Sequence, residues 1–148
     1  MSKKSILLAS ALVLLIGFSL YVNRDRFRSE SIQIGHRTMD ARNRQTKNAP
    51  ASVLTFLLDR QLKLTSVKVV LASAFETNKY SRPIWELISD SNSVPTKTFI
   101  YGAGIRGMRP SVKGATANPL EPGVKYRLFI EAGGERAEHE FTWTPHTP

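Results

Sequence analysis

Two stretches near the end of the chain alternate apolar and polar residues with a period of two. In residues 124–132, Val124, Tyr126, Leu128 and Ile130 fall on one side, and Lys125, Arg127 and Glu131 on the other. In residues 135–144, Ala137, His139, Phe141 and Trp143 alternate with Arg136, Glu138, Glu140 and Thr142. Successive side chains of a strand point to opposite faces, so each run predicts a strand with one buried and one wet face. Gly133 and Gly134 lie between the runs, and two glycines readily take the positive φ values of a tight type I′ turn. The pattern predicts a β-hairpin.

Upstream the alternation is less regular but still strand-like. Leu64, Val67, Val69 and Leu71 surround Lys68, and Ile84, Trp85, Leu87 and Ile88 form a second short run. Asp90, Ser91, Asn92 and Ser93 make a turn cluster, and residues 96–101 are β-branched and aromatic. Residues 52–62 read differently. Phe56 and Leu57 follow Val53 by three and four positions, Leu58 follows Leu54 by four, and Ser52 is placed to cap. That spacing suits a helix, with a strand as the alternative, since period does not decide over so short a run. Residues 51–148, about 100 in number, are expected to form one all-β domain with one core.

Residues 6–22 are seventeen consecutive uncharged, mostly apolar residues preceded by Lys3 and Lys4. They predict a transmembrane signal-anchor over residues 5–22 behind a short basic head, residues 1–4. A cleaved signal peptide is the alternative; against it stand the length of the run and the absence of an A-x-A-like exit near Val22. The positive-inside rule, applied to Lys3 and Lys4 against Arg24, Arg26 and Arg28, favours a cytoplasmic body. Large domains, however, translocate largely regardless of charge. The expectation carried forward is a single-pass bacterial inner-membrane protein, the membrane as partner, with its C-terminal domain periplasmic.

The formal net charge is +9 and cysteine is absent. Between Asn23 and Asn48 stand seven basic residues (Arg24, Arg26, Arg28, Arg37, Arg42, Arg44 and Lys47) against Asp25, Glu30 and Asp40. Polar and poor in apolar periodicity, residues 23–50 read as a basic flexible linker. No basic stripe is interleaved with aromatics, so no nucleic acid is expected as a partner.

Leu120, Pro122, Gly123 and Tyr126 form an L-x-P-G-x-x-Y pattern at the entrance to the hairpin. Pro then Gly suits the centre of a type II turn. A tyrosine just beyond can bury its ring and return its hydroxyl to the turn backbone, the tyrosine corner of Greek-key sandwiches. Here the chain resembles fibronectin type III and immunoglobulin-like domains, with Trp85 in the place of a core tryptophan. From Trp85 through Tyr101 to the corner it is also similar to small membrane-anchored bacterial envelope proteins of unassigned role. The resemblance implies a β-sandwich and a compartment, and no activity.

Gly102, Gly104 and Gly107 satisfy G-x-G-x-x-G. The dinucleotide fingerprint needs a helix opening at its last glycine, and Pro110, Gly114 and Pro119 oppose one. The connection is read instead as a glycine-rich loop whose Arg106, Met108 and Arg109 are candidate contacts for a partner. His36, His139 and His146 show no metal-ligand spacing. No nucleophile, base or metal set assembles, so no catalytic residue and no cofactor is expected. The expected role is a non-enzymatic interaction or structural module of the cell envelope with a protein partner. The alternative is a small-ligand or glycan-binding domain using residues 102–114.

Overall fold

The structure is a computed structural model and describes residues 3–22, 31–40 and 52–145. The chain divides into two compact units, residues 1–30 and 31–148.

The first unit contains one helix, α1 (Lys3–Val22). Among the described residues no helix is long and apolar enough to cross a membrane. The expectation of a transmembrane signal-anchor is therefore corrected, and with it the membrane as partner and the single-pass inner-membrane placement with a periplasmic domain. The physical reason is length and dilution. The uncharged run covers only seventeen residues, interrupted by Ser10, Gly17 and Ser19, and Lys3 and Lys4 occupy the rest of the helix start. At ~1.5 Å per residue that run comes to about 26 Å, short of the ~30 Å hydrocarbon core.

The second unit is built from two antiparallel sheets. The smaller contains β1 (Ile34–Asp40), β2 (Ser52–Leu62) and β5 (Thr96–Ile100) in the order β1-β2-β5. The larger contains β3 (Leu64–Leu71), β4 (Trp85–Ile88), the short β6 (Arg109–Pro110), β7 (Lys125–Ala132) and β8 (Glu135–Thr142), ordered β6-β4-β3-β7-β8. A short helix, α2 (Ala72–Thr77), leaves β3. All described pairings are antiparallel. The inward faces meet in one apolar cluster: Leu54, Phe56 and Leu58 from β2 and Phe99 from β5 face Val67, Val69, Trp85, Leu128, Ile130 and Phe141 from the larger sheet. Phe56 stands edge-on to Phe141 across the sheets, with ring centroids 5.1 Å apart.

The hairpin forms as its pattern requires. Tyr126, Leu128 and Ile130 are buried, and β7 pairs with β8 from Lys125 opposite Thr142 to Ala132 opposite Glu135. Gly133 and Gly134 take φ of 56° and 84° in the turn. The tyrosine corner forms too. Glu121 N–H donates to the Tyr126 hydroxyl at 2.9 Å, Gly123 has φ of 77°, and the Tyr126 ring stacks on Phe141 at 5.7 Å.

Residues 52–62 form a strand rather than a helix. β2 lies between β1 and β5 with both edges paired, and its outward positions Val53 and Leu57 are half-buried while Thr55 is buried. Apolar residues therefore occupy both faces, which erases the alternation and leaves a spacing that imitates a helix. Residues 34–40, placed in the linker on their polarity, are the edge strand β1. Ile32 and Ile34 bring this segment into the core, and on the same side of the strand exposed His36 and half-buried Thr38 hydrogen-bond to His139 of β8 and to Thr144 just beyond it.

Candidate functional site

The long connection from Tyr101 to Leu120 leaves β5, adds β6 to the edge of β4 and reaches the tyrosine corner. Its first anchor is Ile105, buried at 7% exposure, with Met108 half-buried against the same cluster and Met108 N–H donating to Ile105 C=O at 3.0 Å. The second is the turn after β4. Ser89 Oγ donates to Gly107 C=O at 2.7 Å, and Val94 N–H donates to Arg106 C=O at 3.2 Å. Ser93 ties that turn to β3, accepting from Leu64 N–H and donating to Val94 C=O, each at 2.8 Å. Gly107 is needed where it stands. Its φ is +87°, and a Cβ there would meet Ser93 Cα at 3.2 Å and Asn92 C=O at 3.3 Å.

The far half of the connection is held to β4 and β5. Ser111 N–H donates to Glu86 C=O, Asn118 N–H to Ile84 C=O, and the Tyr101 hydroxyl to Asn118 C=O at 2.7 Å. Burial, helped by the neighbouring Tyr126, pushes the Tyr101 hydroxyl well above the usual phenol range, so it stays protonated and keeps the proton it donates to Asn118 C=O. Between these ties an open groove of about 590 Å³ lies against β4, lined by apolar Ile84, Trp85 and Val112 and by polar Arg82, Glu86 and Asn118.

The three loop residues singled out in the sequence have different fates. Arg106 is exposed, and its side chain makes no described hydrogen bond or ion pair. Arg109 is exposed and reaches Asp90 at 3.1 Å. Met108 turns toward the core as an anchor. Trp85, Pro122, Gly123 and Tyr126 act in the framework, Trp85 standing edge-on to Tyr101 at 5.2 Å, with Leu120 half-buried against the core. Exposed Val112, at 62%, and Lys113 complete the outer surface; their sequence signal was only the absence of any acid from residues 101–120. The third glycine of G-x-G-x-x-G is a packing glycine against the preceding turn. Residues 109–110 form β6 after it, with no helix to receive a phosphate.

A second cluster joins the two sheets at their other edge. His36 Nδ1 on β1 and His139 Nε2 on β8 are 2.7 Å apart, and the His36 ring lies 5.7 Å from Phe141. Partial burial, and then the neighbouring His36, lower the affinity of His139 for a proton. The pair was hidden in sequence because His36 fell in a polar stretch. The visible clue was the short alternation Ile32, Ile34, His36, Thr38. Two nitrogens on one tetrahedral metal ion, bonded at about 2.0–2.1 Å, would stand about 3.3 Å apart. The observed separation is that of a hydrogen bond, and no group of three or more metal-ligating side chains occurs among the described residues. His146 lies outside the described residues.

Two described carboxylates, Glu131 and Glu138, line one open hollow of about 420 Å³ on the larger sheet together with Lys68 and Arg136. Glu140 is held by Arg127 at 3.1 Å and Lys125 at 3.5 Å, which keep its carboxyl below the usual range, Arg127 contributing most. Glu131 pairs with Arg136 and Glu135 with Arg60. Comparison with protein-family profiles, with characterised proteins and with solved structures finds no match for the chain.

Proposed function

We propose that the sandwich is a non-enzymatic interaction module of fibronectin type III or immunoglobulin-like kind, whose 101–120 connection receives an acidic protein partner. The framework supports the kinship. Strands one, two and five oppose strands three and the last two, as the A, B, E and C, F, G strands of such sandwiches do, and the tyrosine corner stands at the entrance to the penultimate strand. The observation that carries the functional reading is the connection itself. It is held at Ile105, Gly107, Ser111 and Asn118, yet presents Arg106, Arg109, Lys113 and the apolar Val112 outward with no acid among its residues. A loop fixed before binding loses less freedom on association than one that must order. Cations with an apolar contact fit an acidic, partly apolar surface.

The rival reading, a small ligand or glycan at residues 102–114, has the 590 Å³ groove in its favour. Ligand sites, however, aim a few well-placed polar groups into an enclosed pocket. The buried side-chain polar atoms without partners among the described residues, on Thr55 and Ser81, do not line this groove. A photocrosslinker at Val112, compared with one at Glu138 on the larger sheet's outer face, tests the proposal in the source cell. Protein adducts specific to position 112, and lost when Arg106, Arg109 and Lys113 become Glu in a folded chain, are expected. Equal labelling at both positions, or adducts indifferent to the charge reversal, would overturn it.

A further inference from the structure

We infer that His36 and His139 form a pH-operated latch that fastens the leading strand β1 to β8 of the facing sheet and releases it on acidification. β1 is an edge strand, paired on one side only, with β2. Across the sandwich it is fastened to the β8 end by two described hydrogen bonds. One is the imidazole pair at 2.7 Å, the other Thr38 Oγ donating to Thr144 C=O at 3.3 Å. Other strands of the unit hold their neighbours through backbone ladders and apolar burial, which do not titrate between pH 5 and 8. β1 has the same two means, its ladder with β2 and Ile32 and Ile34 in the core, but its side-chain fastening to the β8 end runs through the one side chain whose ordinary pKa lies there.

The geometry fixes how many protons the latch tolerates. With both rings neutral, one nitrogen donates and the other accepts. A first proton leaves this bond intact, because an imidazolium can donate to the neutral partner. A second proton puts two donors and two positive charges face to face at 2.7 Å, and the bond is lost. His36 is exposed and His139 half-buried, so water reaches the pair, but among the described residues no protein group is placed to offset that charge. Opposite His36 on β2 stands Phe56, flanked by Leu54 and Leu58; the charged residues of β2, Asp59 and Arg60, are at its far end, where Arg60 meets Glu135. Opposite His139 on β7 stands Leu128, flanked by Ile130 and Tyr126, whose hydroxyl is engaged by Glu121 N–H. The alternation places Lys125, Arg127 and Glu131 of β7, and Arg136, Glu138 and Glu140 of β8, on the outer face. On β1 itself Arg37 reaches Met39 Sδ. Asp40 ends β1 opposite Ser52, four residues beyond His36; among the side chains described on these strands, no carboxylate is hydrogen-bonded or ion-paired to either imidazole.

The sign follows from His139. Its proton affinity is lowered in the fold, so its contribution is present above the ordinary histidine pKa and is lost as pH falls below that value through the depressed folded one. Release leaves the β1–β2 ladder in place but removes the fastening of β1 to β8, so that opening β1 away from β2, with Ile32 and Ile34, costs less.

Amide hydrogen exchange of the full chain between pH 7.5 and 5, corrected for intrinsic rates, tests the latch. Protection of β1 amides and of their partners over residues 52–58 should fall several-fold as pH drops below 6.5, with β3, β7 and β8 unchanged. In His36→Gln, and in His36→Phe, which can pack on Phe141, β1 protection should lose this pH dependence. A wild-type β1 with pH-independent protection would overturn the inference without reference to any variant. So would an equal loss across both sheets, or a folded variant that keeps the wild-type profile.

Discussion

The β7–β8 hairpin and the 101–120 connection both turn on glycines with positive φ, yet they are ordered by different means. In the hairpin, order is repetitive: each second residue of β7 is buried, each pair shares a ladder, and a Cβ at Gly133 or Gly134 would meet nothing within 4 Å. In the connection, order comes from single points: Ile105 in the core, Gly107 against Ser93, Tyr101 on Asn118. A repetitive element uses both its faces up, one in burial and one in cross-strand ion pairs such as Arg127 with Glu140. A pinned loop leaves the residues between its pins free to meet something else. That is why the proposed recognition surface falls on the connection.

Deleting one core side chain from each region breaks the comparison most directly. Phe141→Ala removes a ring that touches Phe56, Tyr126 and His36, and should cost about 3–5 kcal/mol in denaturant melts. Ile105→Ala should cost about 2–5 kcal/mol if the connection is anchored through the core. A loss below about 0.5 kcal/mol, the usual range of surface positions, would show that the connection rides on the sandwich without being held by it.

The difference also explains what could be read from the residues alone. The hairpin, its turn and the tyrosine corner were legible because each is specified by neighbours in sequence: a period of two, two adjacent glycines, a Pro-Gly turn before a tyrosine. The strand β2 was not, because burial of both faces replaced alternation with a continuous apolar run. β1 was not, because half of its inward contacts are polar, and His36 acquires its partner 103 residues away. At the loop the exposed arginines were legible from composition. The inward turn of Met108 depended on the neighbouring Ile105 contact, which no local pattern announces. The apolar N-terminal run was legible as a helix, and its length set the limit on what that helix can span.

The corner sharpens the comparison from the hairpin side. Tyr126→Phe keeps the stacked ring and removes the acceptor of Glu121 N–H. Leaving that half-buried donor unpaired should cost about 1–3 kcal/mol, read as a shift of the denaturant midpoint with unchanged slope. A silent substitution would mean that the Pro122-Gly123 turn holds its shape without the hydroxyl, and would remove the chief support for the fibronectin-like reading.

The smallest effect separates the glycines within the connection itself. Gly104 has room for a Cβ, with nothing within 4 Å, and its φ lies outside the left-handed region. Gly104→Ala should therefore change stability by less than about 0.5 kcal/mol. Gly107→Ala places a methyl group 3.2 Å from Ser93 Cα at a φ of +87°. The left-handed backbone alone costs a non-glycine residue about 1–2 kcal/mol, and the atoms it would meet belong to backbone that cannot swing aside as a side-chain end could. Its strain should also reach the Ser89 and Val94 hydrogen bonds, so amide exchange over residues 89–94 should quicken in Gly107→Ala and stay unchanged in Gly104→Ala. Equal behaviour of the two variants would mean that the turn and the loop are not pressed together, and the connection would then resemble a flexible link more than a fixed surface.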